Sequence, residues 1–160
     1  METTPLFRKI LVPLDGSEHS ERALEIAIQI AKHFSGELTL LHVYSITVTP
    51  VIIPEPTTLN PTGVPIATSA EVSKMVDAAR DAGKKILSDA EERVMKNNLQ
   101  VETALREGNS AQEIVKTAKD GQFNLIVIGA RGTHRIRDLL MGSVTEGVVK
   151  NAPCPVMIVK

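Results

Sequence analysis

The chain has no tryptophan, one tyrosine, three phenylalanines and a single cysteine in 160 residues. With Phe7, Phe34, Tyr44 and Phe123 as its whole aromatic content, it must build an aliphatic core, and it has little from which to make a platform of stacked rings. Cys154 alone makes neither an internal disulfide nor a cysteine-based zinc site. No apolar stretch approaches the ~18 residues of a spanning helix. Met1 to Lys9 carries no apolar segment of the secretory type, so a cytoplasmic location and no membrane partner are expected. Charge of one sign is missing too. Eighteen basic and 19 acidic residues leave a net charge of −1, which gives no general attraction to nucleic acid or anionic lipid. The remaining balance, 42% apolar and 23% charged, is that of an ordinary globular protein. The length suits one domain, residues 1–160, with room for a long insertion.

Apolar runs and helical periodicities alternate along the chain. Lys9 to Leu14 reads as a buried strand closed by the turn Asp15-Gly-Ser17. Leu24, Ala27, Ile28, Ala31 and Phe34 then share a helix face, with Gly36 as its stop. Leu38 to Tyr44 is a second strand. Residues 45–68 break the pattern with five of the nine prolines, and read as a Pro/Thr-rich insertion, either a lid or partner-contact segment or a plain surface loop. Helical spacing resumes from Val72 to Val94, placing Met75 and Met95 at the core or its boundary and the charged run around Lys84, Asp89 and Arg93 on a solvated face. Gln100 to Leu105 is a third strand, and Ser110-x-x-Glu113 reads as a capping box opening a short helix. Leu125 to Ile128 is a fourth strand, Ser143 to Asn151 a helix and Val156 to Val159 a last strand. Strand and helix in regular alternation, with strands apolar nearly throughout, predict an α/β fold with a parallel sheet covered on both faces.

Sheets of this kind bind ligands beyond the carboxyl ends of their strands, where the strand order reverses. Two polar segments fall there, Asp15-Gly-Ser17 and Gly129 to Ser143. In the second, Gly129 and Gly132 lack a Cβ and allow a ligand near the backbone. Gly142-Ser143 precedes a helix whose free amides and dipole suit a phosphate. The Ser143 hydroxyl can bond a phosphate or cap the helix, and Arg131, His134, Arg135 and Arg137 supply potential cations. A glycine turn followed by an ordinary N-cap reads equally well from local chemistry.

The spacing Gly129-x2-Gly132-x9-Gly142-Ser143 resembles the nucleotide-binding signature of the universal stress protein family, G-x2-G-x9-G-[S/T]. The opening Ile10-Leu-Val-Pro-Leu-Asp-Gly-Ser17 and the ending Asn151-Ala-Pro-Cys-Pro-Val156 resemble the same family, so the likeness brackets nearly the whole chain. It implies a Rossmann-like open sheet of five parallel strands in the order 3-2-1-4-5, a homodimer pairing at strand 156–159, and the branch that binds ATP. It also implies roles: Pro13, Leu14 and Asp15 toward the ribose and adenine, the Val43 backbone toward adenine, and Gly129, Arg131, Gly132, Gly142, Ser143, Val144 and Thr145 around the phosphates, with Mg or Mn beside them. The stretch Thr133 to Arg137 departs from the small residues many relatives carry there.

The function expected is that of an ATP-binding, stress-responsive regulatory homodimer. The alternative is a slow ATP hydrolase in which turnover switches the loop 129–143, although no catalytic base is evident. Rival chemistries lack their residues. Val148 stands where a P-loop needs lysine after Gly142 and Gly147. Asp15 has no adjacent acid for a phosphoacceptor pair, and aromatics are too few for a flavin. His42 reads as a structural histidine and Cys154 as a small apolar filler.

Overall fold

Two strands are the most deeply covered parts of the chain. In Lys9–Pro13 (β1) every residue after Lys9 is buried, and in Leu125–Gly129 (β4) all are. Apolar side chains on both sides of a strand require a layer of helices on each face, and the computed structural model, which describes residues 6–46, 68–133 and 141–160, shows that arrangement. The other strands are Glu37–Tyr44 (β2), Val101–Glu107 (β3) and Val156–Val159 (β5). The helices are Glu18–Phe34 (α1), Ser69–Met95 (α2), Ser110–Asp120 (α3) and Ser143–Asn151 (α4). The strands form one parallel sheet in the order β3-β2-β1-β4-β5, the order expected. Ile10 stands between Leu38 and Leu125, so β1 is the central strand, and the chain order reverses on passing from its β2 side to its β4 side.

The two-residue alternation of side chains divides the core. Ile10, Val12, Leu38, Leu40, Leu125 and Val127 face α1 and α2, whose buried set includes Leu24, Ala27, Ile28, Leu87, Ala90 and Val94. Leu11, Leu41, Ile126 and Ile128 face Ile114 and Ala118 of α3 and Val148 of α4. The half-buried Cys154 packs against this second cluster, and burial pushes its thiol above the usual range.

Local chemistry sets the helix ends. Ser17 caps α1 by accepting from the Ser20 amide, with Glu18 and Glu21 in the first turn and Lys32 and His33 in the last, which suits the helix dipole. α1 ends on Ser35 in the left-handed region (φ 52°), one residue before Gly36. Thr68 and Glu71 form a reciprocal capping box at the start of α2. The box expected at Ser110 is absent, because Asn109 caps α3 through the Gln112 amide and Ser110 is already the first helical residue.

Two further expectations fail on α2. Met75 and Met95 are 57% and 61% exposed. The helix buries Gly83, Leu87, Ala90 and Val94 on one stripe and no residue before Gly83. Arg93 is not on a solvated face: its guanidinium pairs with Glu21 and with Glu25 (2.7 Å) and fastens α2 to α1. Most of the insertion at 45–68 and the cations His134, Arg135 and Arg137 lie outside the described residues. Among the described residues no helix is long and apolar enough to cross a membrane.

Candidate functional site

A cleft of about 430 Å³ opens where β1, β2 and β4 end, at the reversal of strand order. Eleven of the residues singled out above line it: Pro13, Leu14, Asp15, Val43, Gly129, Arg131, Gly132, Gly142, Ser143, Val144 and Thr145. A larger groove, about 930 Å³, runs beside β3 and α3 among charged residues such as Glu37, Glu102 and Lys116; it holds none of them.

The β2 side of the cleft is apolar. Pro13, Leu14, Leu41 and Val43 meet Ala79, Ala82 and Ile86 of α2 and Ile114 of α3. His42 Nδ1 donates to the Leu14 carbonyl (2.7 Å), which fixes the ring's tautomer and ties β2 to the turn after β1. This is the structural role expected of His42. Above it, the Tyr44 hydroxyl accepts from Arg80 Nε and donates to Glu107, both at 3.3 Å, and the phenol raises the Arg80 pKa above its usual range.

The β4 side is a cradle of backbone. Ala130 N–H bonds Val159 O (2.7 Å) and Gly142 N–H bonds Ala130 O (2.8 Å), which brings the start of α4 against the end of β4. The buried Thr145 hydroxyl donates to Gly129 O (2.8 Å) and holds the same junction from below. Gly142, not Ser143, is the N-cap of α4. It supplies no side-chain acceptor, and Ser143 is the first helical residue, so among the described residues no side chain caps the first amides of α4. The buried Arg131 Nε also lacks a partner among the described residues. Uncapped amides and an unpaired guanidinium N–H in one cleft are donors without acceptors, the complement of an anion.

The turn after β1 offers no such opening. Ser17 Oγ already accepts from Ser20, and both Asp15 oxygens are engaged: Oδ1 by Ser17 N–H (2.9 Å) and Oδ2 by Thr133 N–H (3.1 Å). Among the described residues no group of three or more His, Cys, Asp or Glu side chains could hold a metal ion. A divalent ion here would take most of its ligands from a bound phosphate and water, as Mg²⁺ commonly does.

Several lining residues were not foreseen as part of a site, chiefly Ala79, Ala82, Ile86 and Ile114. Periodicity marks Ala79, Ile86 and Ile114 as helix-face residues, but does not show that this face overhangs the strand ends.

Residues 6–160 match the model of the universal stress protein family. The chain is 34% identical over 155 residues to a universal stress protein of Bacillus subtilis, covering 97% of this chain and all of that protein. It is 37% identical over 157 residues to one from Methanocaldococcus jannaschii, covering 97% and 83%. The solved universal stress protein UspA from Lactobacillus plantarum superposes with a TM-score of 0.80 at 26% identity, over 96% of this chain and 98% of that one. Signature spacing, strand order and full-length similarity agree, and the chain belongs to the universal stress protein family.

Proposed function

We propose that this protein is an ATP-binding regulator of the stress response, a single domain with an insertion at about 45–68, working in the cytoplasm as a homodimer. The observation that carries the reading is that, among the described residues, the start of α4 has no side-chain cap and Arg131 Nε no partner, in a cleft whose opposite side is apolar. The two sides suit the two halves of a nucleotide. Gly129, Gly132, Gly142 and Ser143 hold the phosphates, with the amides of Val144 and Thr145 close by. Pro13, Leu14 and the Val43 backbone receive the base, and Asp15 faces the ribose. Mg or Mn accompanies the phosphates. The cleft volume lies within the usual ~300–1,000 Å³ of small-molecule sites. Universal stress proteins of this fold have been solved in complex with cAMP and with AMP bound; at 24% and 19% identity they share the fold with this chain and no more.

His42 Nδ1–H is spent on a carbonyl and Asp15 accepts from two amides, so both have structural tasks in the cleft. For the dimer, β5 is an outer strand of the sheet, with Met157 37% exposed on it, and an unpaired apolar edge calls for a partner.

The test is the nucleotide content of freshly purified protein, by acid extraction and chromatography, beside the Gly142→Val variant. ATP in the wild type and none in the variant is the expected result. Neither co-purified nucleotide nor binding of added Mg-ATP would overturn the reading. An extract rich in ADP would revive the hydrolase.

A further inference from the structure

Asp15 and Gly132 come from opposite ends of the chain and meet in a way that the nucleotide reading does not require. Asp15 Oδ2 accepts from the Thr133 amide across 118 residues of sequence. An ideal Cβ at Gly132 would stand 2.5 Å from that same oxygen. One residue earlier, Arg131 O accepts from Ser17 Oγ (3.4 Å). The turn after β1 therefore grips the glycine loop on either side of Gly132, at Arg131 O and Thr133 N–H, while Gly142 N–H bonds Ala130 O.

We propose that Asp15 and Gly132 form a clasp that sets the geometry of the phosphate loop. Asp15 is the positioning residue, and the second signature glycine is there to admit its carboxylate. The clasp rests on contacts in the free protein. Its consequence for binding rests on the nucleotide reading above.

The clasp predicts an effect opposite in sign to that of simple electrostatics. A carboxylate beside a phosphate site repels the ligand. If Asp15 did nothing for the loop, removing it would tighten the binding of a polyanion. If it positions the loop, removing it weakens that binding although a repulsive charge has gone. An added Cβ at Gly132 must push the carboxylate aside, so Gly132→Ala and Asp15→Ala break the same contact and their effects do not add.

The probe is inorganic tripolyphosphate, which has neither ribose nor base and so cannot report a sugar contact of Asp15. Titrated calorimetrically, Asp15→Ala and Gly132→Ala are each expected to bind it about tenfold more weakly, the scale of one hydrogen bond to a charged group. The double variant should be no worse than either single one. Asp15→Asn, which keeps the side-chain shape but can accept at only one of the two amides, guards against a fold defect and should also weaken binding. Tighter or unchanged binding in the Asp15 variants, or effects that multiply in the double variant, would overturn the proposal. A ligand-free readout separates this from failure of the nucleotide reading. The Thr133 amide proton, shifted downfield while bonded to the carboxylate, should move upfield in Asp15→Ala and in Gly132→Ala. If it stays in place in Asp15→Ala, the clasp is refuted, even in a protein that binds no phosphate at all.

Discussion

Of the three signature glycines, Gly142 is the one the fold does not need, and replacing it with alanine separates binding from stability. A Cβ there would lie 3.5 Å from Arg131 Cα and 3.6 Å from Ala130 O, ordinary contact distances. Its backbone (φ −73°, ψ 157°) suits any residue. Two small terms oppose each other: alanine is the poorer N-cap, at a cost of about 0.5–1 kcal/mol, and it restricts the unfolded chain, a gain of about 0.4–1 kcal/mol. The net change in unfolding free energy is therefore within about 0.5 kcal/mol. At Gly129 the same change behaves differently. Its Cβ would lie 2.8 Å from His19 C and 2.9 Å from Ser20 N, backbone atoms of the first turn of α1 that cannot rotate away. Overpacking of that kind costs about 1–3 kcal/mol. Guanidinium denaturation of both variants, with calorimetric titration of Mg-ATP, checks the pair. The expected pattern is a Gly142→Ala protein as stable as wild type that binds ATP at least about tenfold more weakly, and a Gly129→Ala protein that is destabilised. A Gly142→Ala protein that loses more than about 1.5 kcal/mol, or that keeps full affinity, would refute the reasoning.

Thr145→Val removes the buried hydroxyl bonded to Gly129 O and should cost about 1–2 kcal/mol in denaturant unfolding, since the carbonyl is left short of a partner. Arg93→Ala unfastens α2 from α1. With Arg93 35% exposed, the loss should be only about 0.5–1 kcal/mol at low salt and should shrink in 1 M NaCl. The Glu71 carboxyl sits below its ordinary 4.5 because the Thr68 amide and hydroxyl bond its charged form. The capping box therefore holds fully above pH 4.5 and is lost as the pH falls through the lowered folded value, which amide and carbon shifts of residues 68–72 would follow.

The nine elements described were legible because each carries its own periodicity and β1, β2 and β4 are apolar nearly throughout, while the strand order came with the likeness to the family. The cleft was legible for a different reason: in a doubly wound sheet its position follows from where the strand order reverses, so Asp15 and Gly129 could be located before any contact was known. What failed was information that is not local. Asn109 and Ser110 are both good caps, and which one starts α3 depends on where β3 ends. Arg93 reads as surface until α1 is laid beside α2. Met75 has helical spacing on a stretch of α2 that buries none of its residues. Ala79, Ala82 and Ile86 line the cleft because α2 passes beside the ends of β1 and β2, which no spacing along one helix contains.

α1 and α4 follow the two strands that flank the reversal of strand order, and the sequence treats their amino termini differently. α1 begins with Asp15 and Ser17, whose oxygens take up the Ser17 and Ser20 amides, so its positive end is already occupied from within the chain. α4 begins with a glycine that offers no oxygen. If that difference is what directs an anion to α4, giving α4 the kind of cap that α1 has should close the site. Gly142→Asp does this with little strain, because its Cβ would meet Arg131 Cα and Ala130 O at ordinary contact distances and the backbone conformation already suits a capping residue. The carboxylate would accept from the first-turn amides and sit at the positive end of the dipole, stabilising the protein at neutral pH by roughly 0.5–1 kcal/mol. ATP binding should be abolished, by loss of the donors and by charge repulsion together. A protein that is both more stable and unable to bind is the expected outcome. One that binds ATP as wild type does would show that the start of α4 is not where the phosphates sit.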